Sequence, residues 1–267
     1  MRYWKGSIQL SPSQDFPLLR QILRSDHITH SQLFEFMQLT CRERSRQSFA
    51  WRIRRLVNHG LVRGRRTTCF GGEPVYSLTA EAAQELQGME EYCLVSAKTR
   101  PDHAANDLLH AVELNNIHLA LLRAGIPARW VPTSEIRSLN ELTTFGYAKD
   151  YDAVVEVRAN GGERKFALEY ERTRKSKADY AWIAGRVVGE ARVSLILYLA
   201  ANYDLLKFVR RELWGVSPRL VFGLVREWHS HLLEMSVETF DRAGARSFLE
   251  LLLQPAAQLH LPAIAQH

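Results

Sequence analysis

The sequence predicts a mixed α/β chain in two parts, an α+β N-terminal half and a C-terminal half built on a mixed sheet. Three observations carry this. Apolar residues recur at helical spacing from Phe16 to His59 and then give way to short strand patterns around Gly71-Gly72. Arginines crowd one stretch: within 41–66 there are nine (42, 44, 46, 52, 54, 55, 63, 65 and 66) against one Glu, a net +8, whereas the whole chain carries only +6. From residue 129 onward, apolar strand runs alternate with helical patterns. With 267 residues, 46% hydrophobic and 24% charged, the chain has the length for two domains and the composition for a packed core.

In the N-terminal half, Phe16-Pro-Leu-Leu-Arg-Gln-Ile-Leu predicts a short helix with Leu18, Leu19 and Ile22 inward. Ser31 is placed to cap a second helix, Gln32–Leu39, whose inner face is Leu33, Phe36 and Met37. A third helix is expected from about Glu43 to His59, stopped by Gly60. Phe49, Ile53, Leu56 and Val57 are its inner positions, and Ser48, Arg52 and Arg55, spaced i, i+4, i+7, are read as the opposite face. Leu61-Val62-Arg63 and Pro74-Val75-Tyr76-Ser77-Leu78 form two strands about the Gly-Gly bend, and Thr79 caps a fourth helix with Glu81 in its first turn.

Helix, helix, basic helix, β-hairpin, helix is the order of a winged helix-turn-helix. Arg54-Arg55-Leu-Val-Asn-His-Gly60-Leu-Val followed by Val75-Tyr-Ser-Leu-Thr79 resembles many bacterial regulators of that type. A local basic run on such a helix is the footprint of a phosphate-binding surface. The expected DNA-contacting residues are Arg44, Arg46, Gln47, Ser48, Arg52 and Arg55 on the helix and Arg63, Arg65 and Arg66 on the wing. Trp51 is ambiguous, read as a packing residue against the following domain ahead of a base contact. The DNA-binding domain is bounded at 14–95, a connection rich in small and charged residues is placed near 95–101, and a second domain spans 102–253, with 254–267 as a tail.

The second domain opens on a long helix, from His103 to Gly125, with Leu108, Ala111, Leu114, Ile117 and Leu121 as its apolar stripe. Asn106, His110 and Glu113 make a polar cluster on another face, either functional or hydrogen-bonded within the domain. Arg129-Trp-Val-Pro is a strand and Ser134-Glu135-Ile-Arg a turn of helix. Tyr151–Arg158 and Arg164–Arg172 flank Asn160-Gly161-Gly162, a hairpin signal. A Gly161-Gly162 loop sets Asp152 opposite Glu171, and an Asn160-Gly161 loop sets it opposite Glu169. Either register puts Asp152, Glu169 and Glu171 on one face. Helix Tyr180–Val188, strand Val193–Leu199, helix Leu205–Leu213, strand Arg219–Val225 and helix Ala243–Leu252 complete a partly parallel sheet covered on both sides.

Three carboxylates on one face repel and call for a cation, either a divalent metal or the nearby Arg172, Arg174, Lys175 and Lys177. The pattern resembles the PD-(D/E)xK nuclease core. That resemblance implies Mg or Mn held by Asp152, Glu169 and Glu171, with a lysine two residues after Glu169 activating water. That position is Glu171, so Arg172 or Lys175 would have to serve from a neighbouring position. A scaffold derived from a nuclease fits as well as an active enzyme, and the enzyme reading would make the chain a metal-dependent DNA endonuclease or nickase. The protein-interaction adaptor is a third reading.

The whole chain resembles the replication-relaxation family of plasmid, phage and integrative-element proteins. Leu109-His110-Ala-Val-Glu113-Leu-Asn-Asn, Trp130…Ser134-Glu135 and Asp152-Ala-Val-Val…Phe166-Ala-Leu-Glu169-Tyr-Glu171-Arg-Thr carry the resemblance. It implies DNA transactions of mobile elements: replication, mobilisation or transcription regulation. The expectations are therefore a sequence-specific double-stranded DNA-binding protein, homodimeric, with replication or mobilisation proteins as further partners and no cofactor unless the nuclease reading holds. No apolar run is long enough to span a membrane and Met1-Arg-Tyr-Trp-Lys-Gly has no apolar signal core, so a cytoplasmic location is expected. Cys41, Cys69 and Cys93 have no metal-ligand spacing and are read as free thiols.

Overall fold

The computed structural model describes residues 8–87, 105–159, 162–240 and 244–254. The chain is mixed α/β and divides into two compact units, Met1–Leu119 and Ala120–His267. The expected connection near 95–101, Cys93 and most of the tail lie outside the described residues. The boundary between the two units falls within the long helix that begins at Ala105.

The first unit runs α1 (Asp15–Ser25), β1 (Ile28–Thr29), α2 (His30–Leu39), α3 (Arg46–Asn58), β2 (Val62–Arg66), β3 (Pro74–Leu78), α4 (Ala80–Gln87) and the first part of α5 (Ala105–Arg123). Helix α2 starts two residues earlier than the sequence suggested, because Thr29 rather than Ser31 is its cap. The Thr29 hydroxyl accepts from the Gln32 backbone N–H while the Gln32 side chain accepts from the Thr29 N–H, satisfying two otherwise orphaned donors. Ser45 caps α3, and Gly60, at φ +72°, lets the chain reverse after it. The strands form an antiparallel sheet in the order β1-β3-β2.

Leu18, Leu19, Ile22, Leu33, Phe36, Phe49, Ile53 and Leu56 fill the core between these helices, as their spacing predicted. Polar side chains hold α5 to this core. The Gln32 amide donates to the Val112 carbonyl (2.8 Å) and to the Asn116 side chain (2.6 Å), and Asn115 donates to the His27 carbonyl (2.8 Å). His118 lies against the Phe36 ring, centroids 5.0 Å apart.

The second unit is centred on a five-stranded sheet in the order β4-β5-β6-β7-β8: β4 (Ala128–Pro132), β5 (Ala153–Ala159), β6 (Gly162–Glu171), β7 (Leu195–Ala200) and β8 (Leu220–Leu224). The first three strands pair antiparallel and the last three parallel. Ala153 pairs with Leu168 and Ala159 with Gly162, which is the Asn160-Gly161 register and sets Asp152 opposite Glu169; residues 160–161 themselves are not described. One face buries Ala167, Ile196, Tyr198 and Phe222 under α6 (Thr133–Leu142), α7 (Lys177–Val187) and α8 (Tyr203–Glu212), through Ile136, Tyr180, Ile183, Leu205, Leu206 and Val209. On the other face, Phe166 meets Trp228 of α9 (Val225–His231) and Phe248 of α10 (Phe248–Leu253). Helix α6 is longer than the single turn expected. The last helix begins at Phe248 rather than Ala243, because the short strands β9 (Ser236–Val237) and β10 (Arg246–Ser247) pair just before it.

Burial and then the nearby Arg24 charge push His118 down to about 3 from an ordinary 6.5. The folded first unit thus keeps the ring neutral while the unfolded chain protonates it. This residue's contribution to stability is complete above about pH 6.5 and declines as the pH falls toward 3. His118→Leu is expected to flatten that part of the stability curve, measured by urea unfolding across the acid range.

Candidate functional site

The arginine run divides into an inward and an outward set. With α3 turning about 100° per residue, Arg52 lies only about 60° from the core position Phe49, while Gln47, Trp51, Arg54 and Asn58 lie opposite it. The structure has this arrangement. Arg52 is 7% exposed; it donates to the side chain of Gln14 and, at 3.2 and 3.3 Å, to Glu43 Oε2 and Ser48 Oγ. Arg55 is half-buried, donating to the carboxylate of the fully buried Asp15 and to the Gln9 carbonyl (3.3 Å). The expected outward face of Ser48, Arg52 and Arg55 is therefore corrected: it packs toward the start of α1, where burial requires each guanidinium to meet an acceptor.

The exposed set is Arg42, Arg44, Arg46, Gln47, Trp51, Arg54 and Asn58 from the α3 region, with Arg63, Arg65 and Arg66 from β2. Arg46 rests over the Phe34 ring (5.0 Å), and Arg66 donates to the Gly72 carbonyl (3.1 Å) at the hairpin bend. Glu43, the single acid of the run, is spent on Arg52. Trp51, expected to be packed, is 60% exposed. Arg54 and Asn58 were missed by the sequence reading, although helical stepping from Phe49 would have found them. Cys41 and Cys69 are free and exposed.

The second candidate lies in the second unit. Asp152, Glu169 and Glu171 share the face of the sheet that α6, α7 and α8 cover, as predicted. Glu169 (3% exposed) sits on the central strand beside Tyr198, and Glu171 at its end. Each buried glutamate meets an ammonium: Lys149 binds Glu169 Oε1 and Lys175 binds Glu171 Oε1. Lys149 is itself 9% exposed and stands 5.0 Å from the centre of the Tyr151 ring. Asp152 accepts from the Tyr170 backbone N–H (2.8 Å). Of the bases expected to neutralise this face, Lys175 does so, and Arg174 lies over the Phe208 ring instead (4.7 Å). Lys149 was missed, since it precedes β5 in an irregular segment that carries no periodic signal.

Burial raises the Glu169 and Glu171 carboxyls, with Lys149 and Lys175 respectively opposing the rise. Burial works against the Lys175 charge too, but Glu169 and Glu171 together hold that ammonium above its ordinary value. Tyr198, buried beside the same carboxylates, is raised well above its usual range, and its hydroxyl has no hydrogen-bond partner among the described residues.

A hard divalent ion takes several oxygen ligands free to turn toward it. Among the described residues no three His, Cys, Asp or Glu side chains converge to hold a metal, and the two glutamates are engaged by lysines. The set does not fit the Mg or Mn that the nuclease resemblance implies. On α5, His110 and Glu113 are half-buried and Asn106 exposed. Glu113 accepts from Asn116 (3.2 Å), itself bound to Gln32. No helix among the described residues is long and apolar enough to cross a membrane. Comparison of the chain with family models, curated proteins and solved structures gave no match.

Lys149→Met is expected to destabilise the protein by about 3–5 kcal/mol, because it strands a buried carboxylate. Lys149→Met combined with Glu169→Leu should recover most of that loss, read by urea unfolding. A single mutant as stable as the parent would show the pair to be unimportant.

Proposed function

We propose that this chain is a double-stranded DNA-binding protein whose first unit is a winged helix. The order α1-β1-α2-α3-β2-β3 with sheet order β1-β3-β2 supports the fold: α3 corresponds to the recognition helix and β2–β3 to the wing. The observation that carries the function is the exposed arginine set on those two elements and the loop leading into α3, Arg42, Arg44, Arg46, Arg54, Arg63, Arg65 and Arg66, from which the single acid of the stretch is withdrawn by its pairing with Arg52. Seven guanidinium groups on this loop, helix and hairpin match a phosphate backbone in sign and in preference for planar, paired hydrogen bonds.

We read the second unit as a nuclease-like scaffold whose acidic face is neutralised by its own lysines, serving dimerisation or partner binding. The setting in replication, mobilisation or transcription of a mobile element rests on the resemblance carried by the 109–116 and 152–173 residues.

Binding of the protein to duplex DNA, followed by fluorescence anisotropy from about 50 to 200 mM salt, should weaken steeply. Replacing Arg63, Arg65 and Arg66 together by Ala is expected to lower the slope of log K against log salt by about 2.7, or about 0.9 per lost phosphate contact. Affinity indifferent to salt would sink the proposal and favour a protein-interaction adaptor. The two classes of arginine should also separate. Arg54→Ala is expected to weaken DNA binding with an unchanged unfolding curve. Arg52→Ala is expected to destabilise the fold by about 3 kcal/mol, as removal of one partner of a buried pair does.

A further inference from the structure

We infer that Trp51 is the residue with which α3 reads a base pair, and that the feature it recognises is the C5-methyl group of thymine. This rests on the DNA-binding reading above and adds to it the identity of the reader and of the base.

Trp51 lies at the centre of the outward face of α3, flanked along the helix by Gln47, Arg54 and Asn58 at i−4, i+3 and i+7, all exposed. An indole that is 60% exposed in the middle of a basic surface presents apolar area that a base edge can cover. The charge around it selects the cover. Arg42, Arg44, Arg46 and Arg54 are exposed on the same region, so the partner is polyanionic, and an apolar protein surface would leave those guanidinium groups desolvated.

The ring is also held before any partner arrives. The Arg55 guanidinium stands 5.4 Å from the Trp51 ring centre, and Arg55 is fixed by its ion pair with the fully buried Asp15. Arg55 is thereby a positioning residue for the indole rather than a free phosphate contact. A side chain fixed in advance loses less rotamer freedom on binding.

Within the major groove the thymine methyl is the apolar group on offer, and apolar side chains are what contact it. The neighbours agree with that choice: Gln47 and Asn58 carry carboxamides, the groups that pair with adenine N6 and N7. An indole for thymine between amides for adenine makes this face a reader of A·T pairs.

The test uses the full chain and a duplex enriched by the wild-type protein from a pool of randomised sequence. The duplex is then resynthesised with deoxyuridine in place of thymidine, which removes the methyl groups alone. Wild-type protein should bind the thymidine duplex about fourfold more tightly per contacted methyl. Trp51→Ala should bind both duplexes equally, at the weaker level, and Trp51→Phe should retain a preference for thymidine. Equal binding of the two duplexes by the wild-type protein would overturn the inference, as would a Trp51→Ala variant that loses affinity for both in the same proportion. In either case salt-sensitive binding would persist, and the DNA-binding reading would stand. Absence of any salt-sensitive binding by the wild-type protein would remove both.

Discussion

Glu169 sits in the middle strand of the five-stranded sheet, out of reach of water, and the surrounding structure answers the need to place a positive charge beside it. Lys149 provides that charge, which fixes the segment leading into β5. Glu190 secures the same segment, accepting from the Ala148 N–H (3.0 Å) and the Tyr151 hydroxyl (3.0 Å). The Thr133 hydroxyl, at the start of α6, lies within 3.0 Å of the Tyr151 carbonyl and 2.9 Å of that of Asp152. Lys149, Glu190 and Thr133 thus tie the entry to β5 to the central strand, to the turn after α7 and to the start of α6.

The first unit obeys the same requirement with arginines as the cations. Asp15 is buried at the start of α1 and Glu43 lies in the loop before α3; Arg55 and Arg52 reach them from α3. These pairs hold α1 and the α2–α3 loop to the third helix. The basicity that stands out in the sequence is therefore of two kinds. Two of the nine arginines are part of the framework and seven remain for a partner, so counting charges along the chain overstates what is available to a phosphate backbone.

The parts of the fold that were legible in the sequence are those set by local pattern. The β5–β6 hairpin follows from strand patterning around Asn160-Gly161-Gly162, and the three carboxylates share a face in either register because side chains alternate with period two. The register itself was undetermined, since two adjacent two-residue loops suited the turn equally. The cap of α2 was readable as Thr29-x-x-Gln32 but was overshadowed by Ser31. Arg52 and Arg55 were misplaced because shared spacing shows that residues lie together on a helix without showing which way that face points; the angle from Phe49 decides it for Arg52, and the pairing with the buried Asp15 on another helix decides it for Arg55. Lys149 was not legible at all. Its partner Glu169 is twenty residues away across the sheet, and an irregular segment leaves no trace of such a pairing in sequence order.

The pairing of Ala159 with Gly162 has a bearing on how this chain can vary. Inserting or deleting one residue between those strands would slide β5 past β6 by a single position and send alternate side chains to the wrong layer. Val154 would leave the apolar interior and Asp152 would lose its place beside the Tyr170 amide. The length of that connection is tolerant only of changes that preserve parity. Among descendants of this sequence, insertions there should come in pairs.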